Sequence, residues 1–158
     1  MDLEAVALIS RLKYRYLRAL DTKDWVLFRD TLIPEATATY GEYLRFEDRE
    51  ALVSFMEVTL GPHMLTEYRC GQPEIEVDGD TAAGVWALSD TVIIPEDGML
   101  VRGTAFYHDE YVRDTAGEWL ISHTGYERTF ETVISLKDLP SFHLTSNKWD
   151  LLVNPPAS

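Results

Sequence analysis

The sequence predicts an α+β fold in which three N-terminal helices pack on a strongly curved, mostly antiparallel sheet. Three observations carry this. Apolar residues recur at helical spacing over roughly the first sixty positions. The pattern then changes to strand-like alternation up to about residue 130. The last three strand segments, 81–94, 100–113 and 118–130, are far longer than the roughly 5–6 residues of a common strand. Helices followed by a meander of strands places the helices on one face of the sheet. Long antiparallel strands twist and curl, so the expected body is a cone-shaped α+β barrel enclosing a pocket.

The first helix is expected over residues 2–20, with Ala5, Ile9, Leu12, Tyr16 and Ala19 on one stripe and Asp2 as its N-cap. Tyr16 is thereby on the buried face, away from Arg11, Arg15 and Arg18. A second helix starts near Thr22, shows Trp25, Phe28 and Leu32 at helical spacing, and is stopped by Pro34. Short strand-like runs at 36–40 and 43–46 surround Gly41. Asp48 caps a third helix carrying Leu52, Phe55, Met56 and Leu60, closed by Gly61-Pro62. Two shorter strands, 64–70 and 74–77, precede the three long ones. Asp78-Gly79-Asp80, Pro95-Glu96-Asp97-Gly98 and Asp114-Thr115-Ala116-Gly117 supply the turns. Residues 1–135 read as one cone domain and 136–158 as an irregular tail with Pro140, Pro155 and Pro156.

Composition narrows the function classes. The chain has 158 residues, of which 46% are hydrophobic, and a formal charge of −13. That charge repels phosphate backbones and anionic lipid headgroups, so neither nucleic acid nor a membrane surface is an expected partner. Cys70 is the single cysteine, which excludes an intramolecular disulfide and a multi-cysteine zinc site. No apolar run approaches the roughly 18 residues of a membrane span, and the acidic start is unlike a signal peptide. A cytoplasmic location is the expectation. His63, His108, His123 and His143 have no metal-ligand spacing, and G-x-S-x-G, P-loop and G-x-G-x-x-G motifs are lacking.

The candidate chemistry lies at the break between the first two helices, where Asp21 follows Tyr16 by five positions. A phenol and a carboxylate facing one cavity can move protons. The commoner reading of each is structural: Tyr16 as a core tyrosine, Asp21 as a cap of the second helix. On the strand 81–94, Asp90 shares a face with Ala82, Gly84, Trp86, Leu88 and Val92. A carboxylate in that company stands either at a pocket mouth with a partner or at a bend facing water. Arg128 shares a strand face with Tyr126 and is a possible counter-ion for Asp90 or Asp21; a surface arginine is the plainer alternative. His123, in Trp119-Leu120-Ile121-Ser122-His123, is expected to pack or hydrogen-bond within the sheet.

Three segments, 13–24, 73–86 and 123–131, together with His143-Leu144-Thr145-Ser146-Asn147, resemble the SnoaL-like branch of the nuclear transport factor 2-like superfamily. Within it they are most similar to bile-acid 7α-dehydratases and, more distantly, to scytalone dehydratases, over roughly residues 8–148. The resemblance implies the cone fold and a deep apolar pocket. It implies that Tyr16, Asp21, Asp90 and Arg128 occupy polar pocket positions, with Tyr40 as a second phenol; Trp86, His123 and Tyr126 are the further candidates for contact with a substrate. In these dehydratases the carboxylate matching Asp21 works with a histidine to remove a proton next to a carbonyl. The phenol matching Tyr16 stabilises the enolate, and neither cofactor nor metal takes part. The histidine position falls on Tyr68 here, and a phenol with a pKa near 10 is a poor base at neutral pH.

The resulting expectation is a cofactor-independent lyase or isomerase acting on a hydrophobic, carbonyl-bearing ring compound such as a steroid or polyketide. Asp21 is its base, Tyr16 and Tyr68 are oxyanion donors, and Asp90 and Arg128 form a positioning pair. The alternatives are a non-catalytic binding protein with the same pocket, and a hydrolase in which Asp21 activates water. An open cone leaves a sheet face and strand edges in need of cover, so a homo-oligomer is expected, and the resemblance implies a trimer.

Overall fold

A computed structural model describes residues 1–156. Helix α1 (Leu3–Thr22) is capped by Asp2, whose carboxylate accepts from Ala5 N at 2.9 Å. It buries the stripe read from its sequence and, beside it, Lys13. Helix α2 (Trp25–Asp30) is short and is capped by Asp24, not by Asp21; the Asp24 carboxylate accepts from Leu27 N at 3.0 Å. Asp21 is thus left free of capping duty. Helix α3 (Arg49–Thr59) starts at Asp48 as its sequence predicts.

The second helix ends earlier than Pro34. Thr31 closes it, donating its hydroxyl to Phe28 O, and Leu32 opens strand β1 (Leu32–Tyr40). Pro34 is tolerated inside that strand because the pairing with β6 shifts register between Leu32 and Thr37. No ladder donor is missed in an irregular stretch. Strand β2 (Leu44–Phe46) pairs with β1, and β3 (Leu65–Asp78) is one strand rather than two. Its Gln72-Pro73 dipeptide forms a bulge, with Gln72 at φ 50° and a register shift between Gly71 and Glu74.

Strands β4 (Thr81–Ile94), β5 (Met99–Arg113) and β6 (Trp119–Ser135) complete a sheet of order β2-β1-β6-β5-β4-β3. Among the described residues only the β1–β6 pairing is parallel. Further register shifts in β5–β6 lie at Thr104/Ala105 and Glu110/Tyr111. Each bulge bends its strand, and together they help wrap the sheet around α1. The inner face contributes Trp86, Leu88, Ala105, Tyr107, Tyr111 and Ile121 to the core, against Ile9, Leu12, Tyr16 and Leu20. No described helix is long and apolar enough to cross a membrane.

After β6 the chain makes a 3-10 turn (Leu136–Asp138) and continues without regular structure. It folds back on itself: Asn154 N donates to Leu144 O at 3.0 Å, and Asn147 Nδ2 donates to Leu151 O. This brings Trp149 over the end of α1, its ring centroid 5.6 Å from Lys23 Nζ.

Candidate active site

Asp21 sits in the last turn of α1 and turns toward β3. Its Oδ1 accepts from the Thr66 hydroxyl at 2.8 Å, and Tyr68 N–H donates across both oxygens at 3.3 and 3.1 Å. Burial pushes its pKa up to about 6, against the lowering effect of Thr66, Tyr68 N–H and Lys23. Glu67 adds a smaller push upward. The balance is a carboxylate that is ionised at neutral pH yet more basic than a solvated one.

Leu20 and Tyr68, which flank this carboxylate, are walls of a cavity of about 200 Å³ inside the cone. Its other walls are Tyr40, Leu44, Phe55, Met56, Thr59, Leu60, Tyr107 and Tyr126. Four phenols therefore line an otherwise apolar chamber. Tyr16 stands behind it, fully buried, with its hydroxyl 3.0 Å from that of Tyr40. Burial raises the pKa of Tyr16, Tyr40, Tyr68, Tyr107 and Tyr126 alike. All five remain neutral hydroxyls, able to donate to an oxygen that gains charge.

The third component is an ion pair. Arg128 grips Asp90 with both terminal nitrogens; the Nη2–Oδ2 contact is 2.9 Å, and the Asp90 side chain is completely shielded. Arg128 also stands 5.5 Å from the Tyr126 ring and 3.4 Å from Glu131 Oε2. Asp90 lies opposite Tyr68 on β3 and opposite Gly103 on β5. Gly103 is what lets β6 reach β4: a Cβ there would fall 2.7 Å from Arg128 Nη1 and 2.6 Å from Phe130 O. The arginine crosses the intervening strand through the missing side chain.

Residues 1–125 match the model of the SnoaL-like domain. The chain belongs to that family. Its fold is the NTF2-like α+β cone, and solved structures share it at low sequence identity. A putative scytalone dehydratase from Novosphingobium aromaticivorans superposes with a TM-score of 0.77 at 16% identity, over 83% of this chain and 88% of that one. A hexachlorocyclohexane dehydrochlorinase, LinA-type3, from Novosphingobium barchaimii gives 0.76 at 18% identity over 84% and 92%. ActVI-ORFA from Streptomyces coelicolor gives 0.68 at 12% identity over 80% and 98%.

Within this SnoaL-like cone, Tyr40, Tyr68 and Tyr126 line the chamber, Asp21 adjoins it through the Tyr68 N–H, and Asp90 and Arg128 adjoin it through Tyr68 and Tyr126. Two sequence candidates are elsewhere. Trp86 is a core residue that donates Nε1–H to the Tyr111 hydroxyl at 2.9 Å. His123 faces the opposite side of the sheet, with Nδ1 2.7 Å from the Thr37 hydroxyl. There it lines a larger, open groove of about 510 Å³ with Glu74, Glu76, His108 and Glu110. Its lining carries charged groups where that of the inner chamber is aromatic and apolar. His63 is exposed beyond α3, and the side-chain hydrogen bond that Asp21 accepts comes from Thr66. Among the described residues no metal-binding group of histidine, cysteine and acidic side chains occurs.

Beneath the phenols lies a polar knot that the sequence did not announce. Lys13 Nζ, completely buried, is 2.7 Å from Asp109 Oδ2 and 3.4 Å from the Tyr107 ring centroid. The contact with Asp109 is an ion pair without directed hydrogen-bond geometry. Asp109 also accepts from the Tyr111 and Thr124 hydroxyls at 2.9 and 2.7 Å. Strand alternation alone could have found Tyr107, which follows Gly103 and Ala105 on the inner face of β5.

Proposed function

We propose that this SnoaL-like protein is a dehydratase-like lyase acting on a hydrophobic ring compound that carries a carbonyl group and a leaving group. The observation that carries this reading is Asp21: a half-buried carboxylate with a raised pKa, held by Thr66 and Tyr68 N–H at the edge of a phenol-lined chamber. Asp21 takes a proton from the carbon next to the substrate carbonyl. A phenol of the Tyr16–Tyr40 pair or Tyr68 donates to the carbonyl oxygen as it becomes an enolate. The neighbouring carbon–oxygen bond then breaks, a carbon–carbon double bond forms, and the proton on Asp21 leaves with hydroxide as water. Every group this step requires is a side chain of the protein.

Dehydratase and dehydrochlorinase names among the similar structures agree with an elimination, and bile-acid 7α-dehydratases remain the model for the residue roles. The chamber of about 200 Å³ is below the ~300 Å³ at which pockets for drug-sized ligands begin. A compact substrate of one or two rings is therefore favoured over a four-ring steroid. Incubation with β-hydroxy ketones of that size, followed by ultraviolet absorbance of the conjugated product, tests the reaction. Turnover that persists unchanged in Asp21→Asn would overturn the role of Asp21. Ligand binding without conversion, in both wild type and Asp21→Asn, would mark a binding protein instead.

A further inference from the structure

The sheet buries one face in the core and leaves the other in water. On β5 the alternate residues Gly103, Ala105, Tyr107, Asp109 and Tyr111 are buried, so Arg102, Thr104, Phe106, His108 and Glu110 point outward. Phe106 is 46% exposed, and Phe130, opposite Thr104 on β6, is 57% exposed. Two large aromatic side chains on one open face mark a surface for contact.

That face is also polarised. Phe106 is its midpoint on β5, with Arg102 four residues before it and Glu110 four residues after it. Strand β3 repeats the order: Arg69 shares the Thr104 row through Ser89, and Glu74 shares the His108 row through Val85. At the acidic end, Glu74, Glu76 and Glu110 line the groove of about 510 Å³. In the Phe106 row stand Ala87 and Gly71, and a Cβ on Gly71 would meet nothing within 4 Å. A hollow therefore flanks the Phe106 ring.

We propose that this face is the contact between two copies of the chain, related by a two-fold axis that lies between the sheets and crosses their strands at Phe106. Such an axis reverses strand direction and makes the contact self-complementary. Each Arg102 then meets Glu110 of the second copy, and each Arg69 meets Glu74 of the second copy. The two Phe106 rings meet at the axis, with room over Ala87 and Gly71. An axis along the strands would instead stack the acidic end on itself. The contact makes no use of the elimination chemistry.

Two like-charged meetings remain. Glu127, opposite Phe106, lies past the last β1–β6 pair at Tyr40 and Tyr126, so its carboxylate stays in water at the rim. Glu67, in the Arg102 row, faces Glu76 of the second copy, and Arg69 stands 3.2 Å from Glu67. The formal charge of −13 opposes association, but at physiological salt its reach is ~8 Å. The local pairs and the aromatic rings act inside that distance.

The test is the mass of the full chain in solution, by sedimentation or light scattering at micromolar concentration and physiological salt. Twice the chain mass of 18.1 kDa is expected. Arg102→Glu or Glu110→Arg alone should halve that mass. The two together should restore it, because the swap keeps each pair with its signs exchanged. Both positions are exposed, and unchanged far-ultraviolet circular dichroism shows that the fold persists. In a Cys70→Ser background, Phe106→Cys should link two chains under mild oxidation, whereas Arg102→Cys, far from the axis, should not. A monomer, a trimer, single reversals that keep the dimer, a double reversal that stays monomeric, or linkage through 102 in place of 106 overturns the proposal.

Discussion

The backbone N–H of Tyr68 points at the carboxylate of Asp21, 3.1 Å from one oxygen and 3.3 Å from the other. The Tyr68 side chain goes to the chamber while its backbone goes to the carboxylate. A main-chain donor cannot accept a proton, so it orients Asp21 without sharing its charge. Activity that depends on Asp21 alone should show one acid limb, rising through about pH 6 as the carboxylate ionises. A second limb at similar pH in the kcat/KM profile would require another titrating group.

Asp21→Asn should remove activity and stabilise the fold. Loss of a general base costs roughly 10²–10⁴-fold in rate. The stability sign follows from proton binding. The Asp21 pKa is about 6 in the folded protein against 3.8 for a free group, so between these values the folded state holds more protons. Stability therefore falls as pH rises from about 3.8 to about 6, and the cost is fully present above that. The carboxyl is only partly buried, so solvent screening reduces the gain from its neutral replacement to about 1–2 kcal/mol. Thermal unfolding at pH 7 should show a higher Tm for the asparagine variant, and the difference should vanish near pH 3.5.

The break between α1 and α2 was legible in the sequence, and with it the position of Asp21. What the local pattern could not reveal is which aspartate caps α2. Asp21 and Asp24 both precede helical residues, and the choice depends on Lys23 adopting a left-handed turn. Asp90 and Arg128 were readable as possible partners because each stands on an inward strand face. Their union through Gly103 was not, because it depends on register across β4, β5 and β6. The helix pattern alone does not mark Lys13 as buried. It is buried because Asp109, far along the chain, arrives beneath it with Tyr111 and Thr124 already donating.

The Lys13–Asp109 pair should be far more costly to break than to replace. Lys13→Met leaves a fully buried carboxylate without its cation, a loss of about 3–5 kcal/mol, whereas a combined Lys13→Met, Asp109→Asn variant removes both charges. The double variant should therefore unfold at a higher denaturant midpoint than the lysine single variant. Equal midpoints would show that the two charges do not interact.

Tyr16 and Tyr40 should behave as one unit. Removing either hydroxyl leaves its neighbour's hydrogen bond unmade in a buried place, at about 1–3 kcal/mol. Removing both leaves nothing unpaired between them. The double phenylalanine variant should then be less destabilised than the sum of the single variants. On turnover, the phenylalanine variants should lower kcat more than they raise KM, because an enolate oxygen uses a donor more strongly than the ground-state carbonyl does.

Gly103→Ala tests whether the Asp90–Arg128 pair positions the site. The added methyl would meet Phe130 O at 2.6 Å and Arg128 Nη1 at 2.7 Å, so β6 must move outward or the guanidinium must leave Asp90. The first outcome disturbs the sheet where Arg128 starts. The second leaves a fully shielded carboxylate unpaired, which is strongly destabilising. Either way the variant should unfold several degrees lower, and the Tyr126 ring beside Arg128 should lose its fixed setting. Arg128→Lys separates the two causes: it keeps a charge near Asp90 but gives up the two-pronged grip. If the grip positions Tyr126 in the chamber, Arg128→Lys should lower kcat with a smaller loss of stability than Gly103→Ala. If kcat is unchanged in Arg128→Lys, the pair serves the fold alone and the chamber is set by its phenols.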